Sequence, residues 1–227
     1  MSKKFIAIDF GHLGADSGAV RTENGKVVAK EVDLNTAIAT KIVEVLEAHG
    51  VQILKTTGSL TNRTNIANKN KVDYFVSIHN NAGGGDGFGA YTYSSGGQAA
   101  KLAKAITDQV VTLDKLNNPH GNPLKVANFH VLRESKMPAV LLECAFMDSK
   151  DFEAVDSPKK LENFGLSIAK GILNYLGISY KEKPVQAQSD GFYRVVTGSF
   201  KDKSAALNRV RELERVGFES FIDYFKK

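Results

Sequence analysis

Three short apolar runs in this chain each lead to a residue that can bind a metal or work beside one. Phe5-Ile6-Ala7-Ile8 leads to His12, Tyr74-Phe75-Val76-Ser77-Ile78 to His79, and Ala139-Val140-Leu141-Leu142 to Glu143. Two imidazoles and a carboxylate, with one position left to water, form a catalytic zinc set. Glu31 is the best third ligand, because it sits at or just before the first turn of a helix. Its competing reading is a surface acid complementing the helix dipole, and spacing alone does not choose between the two. Glu143 closes the run Pro-Ala-Val-Leu-Leu, where a charge is costly unless it faces a cleft or a cation. A carboxylate so placed can take a proton from a water nucleophile and deliver it to a leaving amine. Cys144 is a rival nucleophile, but strand alternation turns it away from the face used by Glu143, as expected of an inert buried thiol.

The elements that must position these residues alternate strand and helix. Apolar runs of four or five residues bounded by Gly, Asp or Asn read as buried parallel strands, whose carboxyl ends form ligand clefts. Leu34, Ile38, Ile42, Val45 and Leu46 recur at helical spacing until Gly50. Val51 to Leu54 is a strand, and a polar helix around Arg63, Ile66 and Ala67 returns the chain to the His79 strand. Gly89 to Tyr93 is a further strand, followed by a helix through Ala99, Leu102, Ile106 and Val110. Asn128 to Leu132 and Ala139 to Leu142 are expected to complete the sheet, with His130 alternating inside a strand. Ser157-Pro158 starts a last helix that Gly177 ends. The pattern predicts an α/β fold, a single mostly parallel sheet flanked by helices, over residues 1–178.

From 179 to 191 the chain turns to Lys, Glu, Pro, Gln and Ser without periodicity, which reads as a linker. Residues 192–227 then read as a small βαβ module, with Ala206, Val210 and Leu213 on the inner face of its helix. Two strands and one helix bury little surface, so the module is expected to pair with something. His49 reads as a cation at a helix end and His120 as a loop residue. Gly83-Gly84-Gly85-Asp86-Gly87 lacks the Lys-Ser/Thr of a phosphate loop and reads as a flexible lip.

Composition narrows the classes. The 227 residues are 42% apolar and 24% charged with net charge +5, ordinary for a globular protein. No run of like charges marks a nucleic-acid stripe. One cysteine excludes an internal disulfide framework and a cysteine zinc cage. The start Met-Ser-Lys-Lys-Phe-Ile-Ala-Ile-Asp reads as a strand, so the chain is expected to be made in the cytoplasm without a signal peptide. No stretch approaches the ~20 apolar residues of a membrane span, so no membrane insertion is expected.

Five ordered motifs carry a resemblance: Gly11-His12 with Asp16-Ser17-Gly18-Ala19; Lys30-Glu31 with Leu34-Asn35; Leu60 with Arg63 and Ala67-Asn68; Val76-Ser77-Ile78-His79 with Asn81-Ala82; and Pro138 to Glu143 with Phe146. From about residue 4 to 176 the chain resembles the zinc-dependent N-acetylmuramoyl-L-alanine amidases of the amidase-3 type. The resemblance implies a six-stranded sheet, Zn2+ held by His12, Glu31 and His79, and a catalytic Glu143. It also implies cleavage of the amide between N-acetylmuramic acid and L-alanine in peptidoglycan. Asn81 and Arg63 become candidates for holding glycan or peptide, though Arg63 can equally pair with an acid on the scaffold. Leu13, Ser17 and Cys144 stand where the family usually has glycine, proline and glycine, departures that touch substrate fit and remove no ligand.

The tail resembles a sporulation-related repeat through Phe192-Tyr193-Arg194-Val195, Gly198-Ser199-Phe200, Ala205-Ala206 and Gly217-Phe218. That family normally shows two βαβ halves, and this chain supplies one. The expectation is a peptidoglycan-binding module through which two chains pair as a homodimer. Such an enzyme reaches the wall after a membrane lesion, as an endolysin, or at mother-cell lysis, as an autolysin. A zinc peptidase cutting a stem-peptide bond and a Cys-dependent amidase are the rival enzymes.

Overall fold

The computed structural model describes residues 4–13, 16–113, 116, 122–182, 198–215, 217 and 222. It divides into two compact units, Met1–Lys181 and Glu182–Lys227.

In the first unit a six-stranded sheet runs in the order β4-β1-β5-β8-β6-β7. The strands are β1 (Phe5–Phe10), β4 (Gln52–Thr56), β5 (Tyr74–Asn81), β6 (Gly89–Thr92), β7 (Leu124–Val126) and β8 (Ala139–Phe146). All neighbours pair parallel except β6 with β8. Period-two alternation sorts the side chains. Ile6, Ile8, Val76, Ile78, Val140, Leu142 and Cys144 enter one core. Phe75, Ala139 and Leu141 enter the other. The first core is closed by α1 (Glu31–Ala48), α3 (Gly97–Val110) and α5 (Pro158–Leu176), the second by α2 (Leu60–Asn70) and α4 (His130–Arg133).

Local chemistry sets the element ends. Pro158 opens α5, where its missing N–H costs nothing, and Gly177 closes it at φ 70°. The last turn of α1 is closed by the His49 N–H on the Leu46 carbonyl and the Gly50 N–H on the Glu47 carbonyl, and Gly50 leaves the helix at φ 79°. A separate hairpin, β2 (Val20–Glu23) with β3 (Lys26–Lys30), turns at Asn24-Gly25, whose φ values of 50° and 74° suit a tight hairpin.

The sheet differs from expectation at one edge. Asn128 to Leu132 is no strand: Phe129 is extended and α4 begins at His130. Val131 and Leu132 are adjacent and both buried in the same core, which a helical turn allows and strand alternation forbids. The edge strand is instead β7, only three residues long. His130 therefore lies in the first turn of a helix, with Nε2 buried and without a partner. His49 also differs from the cation expected: Nδ1 lies 2.7 Å from the Val45 carbonyl, and Nε2 accepts the Lys181 N–H at 2.9 Å.

The second unit shows α6 (Lys203–Arg215), whose Asp202 accepts the Ser204 N–H. Ala206, Val210 and Leu213 are half-buried on one face of it, as their spacing predicts. The two strands expected around α6 lie almost entirely outside the described residues, as does His120.

Candidate metal centre and active site

β1, β5 and β8 are neighbours in the sheet, so their carboxyl ends open on one cleft. His79 stands directly beside Glu143 in the β5–β8 register. His12 follows β1 in a left-handed conformation, φ 54°, unusual for a residue with a Cβ. Two glycines make the approach sterically possible. A Cβ on Gly11 would fall 2.7 Å from the His79 ring, and one on Gly18, at φ 62°, would fall 2.5 Å from Glu31 Oε2.

Glu31 is the first residue of α1 and is anchored by its own N–H to the Ala19 carbonyl at 2.8 Å. Its Oε1 lies 3.1 Å from His12 Nε2 and 3.0 Å from His79 Nδ1. The two imidazoles meet edge to face, with centroids 4.9 Å apart. One donor atom from each of the three residues thus lies within 4.8 Å of the others. Burial alone would raise the Glu31 pKa. Hydrogen bonds from His79 and the Ala19 N–H, with the charge of both imidazoles, outweigh it and hold the carboxyl below its ordinary range. Asn35 Nδ2 donates to Oε1 at 3.3 Å and to the Gly11 carbonyl at 3.2 Å, and the Asn80 N–H reaches Oε1 at 3.2 Å. His12 Nδ1 is held by Asp16 at 2.8 Å, which fixes which ring nitrogen faces Glu31. The His12 contact, then the Gly18 N–H, lowers the Asp16 pKa.

Two nitrogens and one carboxylate oxygen suit a catalytic zinc, which takes water as its fourth ligand. Glu143 lies beside this cluster, directly opposite His79 in the sheet. Burial first, and the Glu31 charge second, push its pKa up to about 8 against the pull of Lys125. Its Oε2 is buried without a hydrogen-bond partner, an orphan that needs a proton or a ligand. Cys144 faces the opposite core and is fully buried. Burial raises its thiol well above the usual value, so it offers no thiolate to a substrate.

The remaining candidates separate. Asn81 ends β5 half-exposed, its Oδ1 accepting the Ala82 N–H at 2.8 Å. Arg63 is 4% exposed and faces the scaffold. Its Nη1 donates to Asp9 at 3.0 Å and to the Phe10 carbonyl at 2.6 Å, and its Nε to the Gly58 carbonyl at 2.6 Å. Asp9, fully buried, also accepts from Thr56 and Ser77. The scaffold acid that the sequence allowed for Arg63 is Asp9, which spacing alone does not identify because the hub's members lie on four separate elements. The glycine lip is tied down: Asp148 takes the Gly83 and Gly84 N–H groups at 2.8 Å, Asp151 takes that of Gly87, and the Phe146 ring packs on Gly85.

Residues 6–174 match the sequence family of N-acetylmuramoyl-L-alanine amidases, and residues 168–223 match the SPOR domain. The chain is 36% identical over 225 residues to the N-acetylmuramoyl-L-alanine amidase CwlM of Bacillus licheniformis, covering 96% of this chain and 84% of that protein. It is 37% identical over 224 residues to the sporulation-specific N-acetylmuramoyl-L-alanine amidase of Bacillus subtilis, covering 96% and 83%. Among solved structures, N-acetylmuramoyl-L-alanine amidase AmiC2 of Nostoc punctiforme superposes with TM-score 0.69 at 32% identity, over 78% of this chain and 98% of that one.

Proposed function

This chain belongs to the N-acetylmuramoyl-L-alanine amidase family, and on that premise we propose that its amidase activity on peptidoglycan depends on zinc held by His12, Glu31 and His79. The observation that carries the reading is one carboxylate oxygen, Glu31 Oε1, within 3.1 Å of His12 Nε2 and 3.0 Å of His79 Nδ1. Zinc held there would supply Lewis acidity to polarise the scissile carbonyl and acidify water. Glu143 takes the proton of the attacking water and returns it to the departing alanine nitrogen. The orphaned Oε2 and the raised pKa support that role, since a carboxyl that binds its proton more tightly is a better acceptor. Asp16 and Asn35 orient the ligands. Asn81, at the cleft end of β5, is the candidate contact to glycan or peptide. Arg63 holds the end of β1 through Asp9 and Phe10 and does not reach substrate.

The test is zinc content measured alongside release of peptide from purified peptidoglycan. The expected result is about one zinc per chain, the number that a single three-ligand site holds, with chelator-sensitive release and new amino termini at alanine. Full activity after metal is stripped would overturn the zinc reading. New amino termini elsewhere would favour a stem-peptide peptidase.

The SPOR match supports assigning the C-terminal unit to peptidoglycan binding. The name of the B. subtilis relative favours action on the wall during sporulation. No helix among the described residues is long and apolar enough to cross a membrane. Pairing of two chains through these units completes the reading. Light scattering is expected to give the mass of a dimer, and a monomer at working concentration with α6 intact would remove it.

A further inference from the structure

The face of the sheet that carries Glu143 continues into a second feature. β6 lies between β8 and β7, with Gly89 opposite Glu143 and Tyr91 opposite Lys125. Tyr91 lies back over Gly89, where a Cβ would fall 2.7 Å from the tyrosine Cε2 and 3.4 Å from its hydroxyl. The ring therefore covers the strand position beside Glu143. On its other side Lys125 Nζ stands 5.5 Å from the ring centroid, within reach of the π face. Phe129, 5.2 Å from Tyr91 and tilted by 52°, extends the shelf. Lys125 and Phe129 are exposed and Tyr91 is half-buried. No carboxylate among the described residues forms a salt bridge with Lys125. The shelf thus starts at the proton-carrying glutamate, runs over the Tyr91 ring, and carries Lys125 against that ring with Phe129 packed on it as well.

We propose that Tyr91, Lys125 and Phe129 form the subsite for the stem peptide, with Lys125 meeting a peptide carboxylate close to the scissile amide. The inference rests on the amidase reading and names the half of the substrate that this side of the cleft takes. Charge decides which half. The glycan of an intact substrate is uncharged, because its lactyl carboxyl is tied up in the amide being cut. Its negative charges all belong to the peptide, so an exposed ammonium beside the reacting centre complements the peptide side. The two rings give the peptide's alkyl portions an apolar floor while the ammonium stays in water.

The experiment uses the full chain and two soluble muramoyl peptides that differ only at the second peptide residue, one with a free carboxylate and one with the carboxamide. Wild type is expected to cleave both and to prefer the free carboxylate through a lower KM. Lys125→Met is expected to raise KM for the free carboxylate roughly fivefold, the upper end for an exposed ion pair, and to leave the carboxamide's KM unchanged. Lys125→Arg, which keeps the charge, is expected to restore the preference. Removing Lys125 also changes the proton affinity of Glu143, an effect on kcat shared by both substrates, so the ratio of their KM values isolates the contact. Equal changes on both substrates, or no change on either, would overturn the subsite. Failure of wild type to cleave either peptide at the alanine would overturn the amidase reading itself, and the subsite with it.

Discussion

Glu143→Gln is expected to stop turnover on purified peptidoglycan, by at least about a thousandfold, while zinc content stays at the wild-type level. The estimate follows from the usual contribution of a positioned proton carrier, roughly 10²–10⁴-fold, for a residue asked to act both as base and as acid. Gln keeps the shape of the side chain and removes its ability to take a proton. The three residues proposed to hold zinc are left in place, with Glu31 still bonded by Asn35 and the Ala19 N–H. Peptide release and metal analysis on the same preparation check the prediction, and near-full activity in the variant would remove Glu143 from the mechanism. A second readout comes from stability without metal. The folded-state pKa of Glu143, about 8, lies above the ordinary glutamate value of 4.5. Between those values the native state binds more protons than the unfolded chain, so stability falls as pH rises through that window. Metal-stripped wild type is therefore expected to lose thermal stability, relative to Glu143→Gln, as pH is raised from about 4.5 to 8. Parallel pH profiles would mean that the carboxyl is not held neutral by burial.

Arg63→Met is expected to destabilise the catalytic unit by about 3–5 kcal/mol, the usual result of removing one partner of a buried ion pair. The guanidinium bonds Asp9, Phe10 and Gly58 at once. Met approximates its length without the donors, leaving the Asp9 charge fully buried and hydrogen-bonded by the neutral Thr56 and Ser77 hydroxyls. Urea unfolding of the full chain, followed on the transition of the catalytic unit, measures the effect. Asp9→Asn in the same background is expected to recover part of the loss, because the uncompensated charge is then gone. A substrate-gripping arginine would give the opposite signature, a raised KM with stability unchanged, and that outcome would return Arg63 to the cleft. Phe10 lies two residues before His12, so loosening this hub also loosens the strand end from which His12 projects.

Much of the site is readable in one dimension because its donors sit at places that sequence patterns mark. An apolar run followed by His, or closed by Glu, is visible without knowing what lies opposite, and β1, β5 and β8 formed where those runs stand. The side of the sheet taken by Glu143 and Cys144 follows from alternation alone. The right edge of the sheet was less legible. A three-residue strand, Leu124–Val126, carries too little periodicity to distinguish it from a loop, and the Asn128 to Leu132 pattern fits a strand or a helical turn equally well. The contact of α4 with α2 and β8 chose the turn, by burying two adjacent side chains together.

What the sequence determined by itself is the inventory and its rough address: two imidazoles and two carboxylates, three at strand ends and one at a helix start, on a layered α/β scaffold. The tertiary structure decided which groups meet and how they are buried, because each contact depends on partners far along the chain. Glu31 reads in sequence as dipole partner or ligand, and only the fold brings His79, 48 residues away, within 3.0 Å of it. Arg63 was ambiguous between substrate and scaffold until Asp9, 54 residues away, accepted its hydrogen bond. Glu143 acquires its high proton affinity from burial and from the charge of Glu31, neither of which exists before the sheet closes. Residue types are local properties, whereas desolvation and pairing are properties of the packed chain.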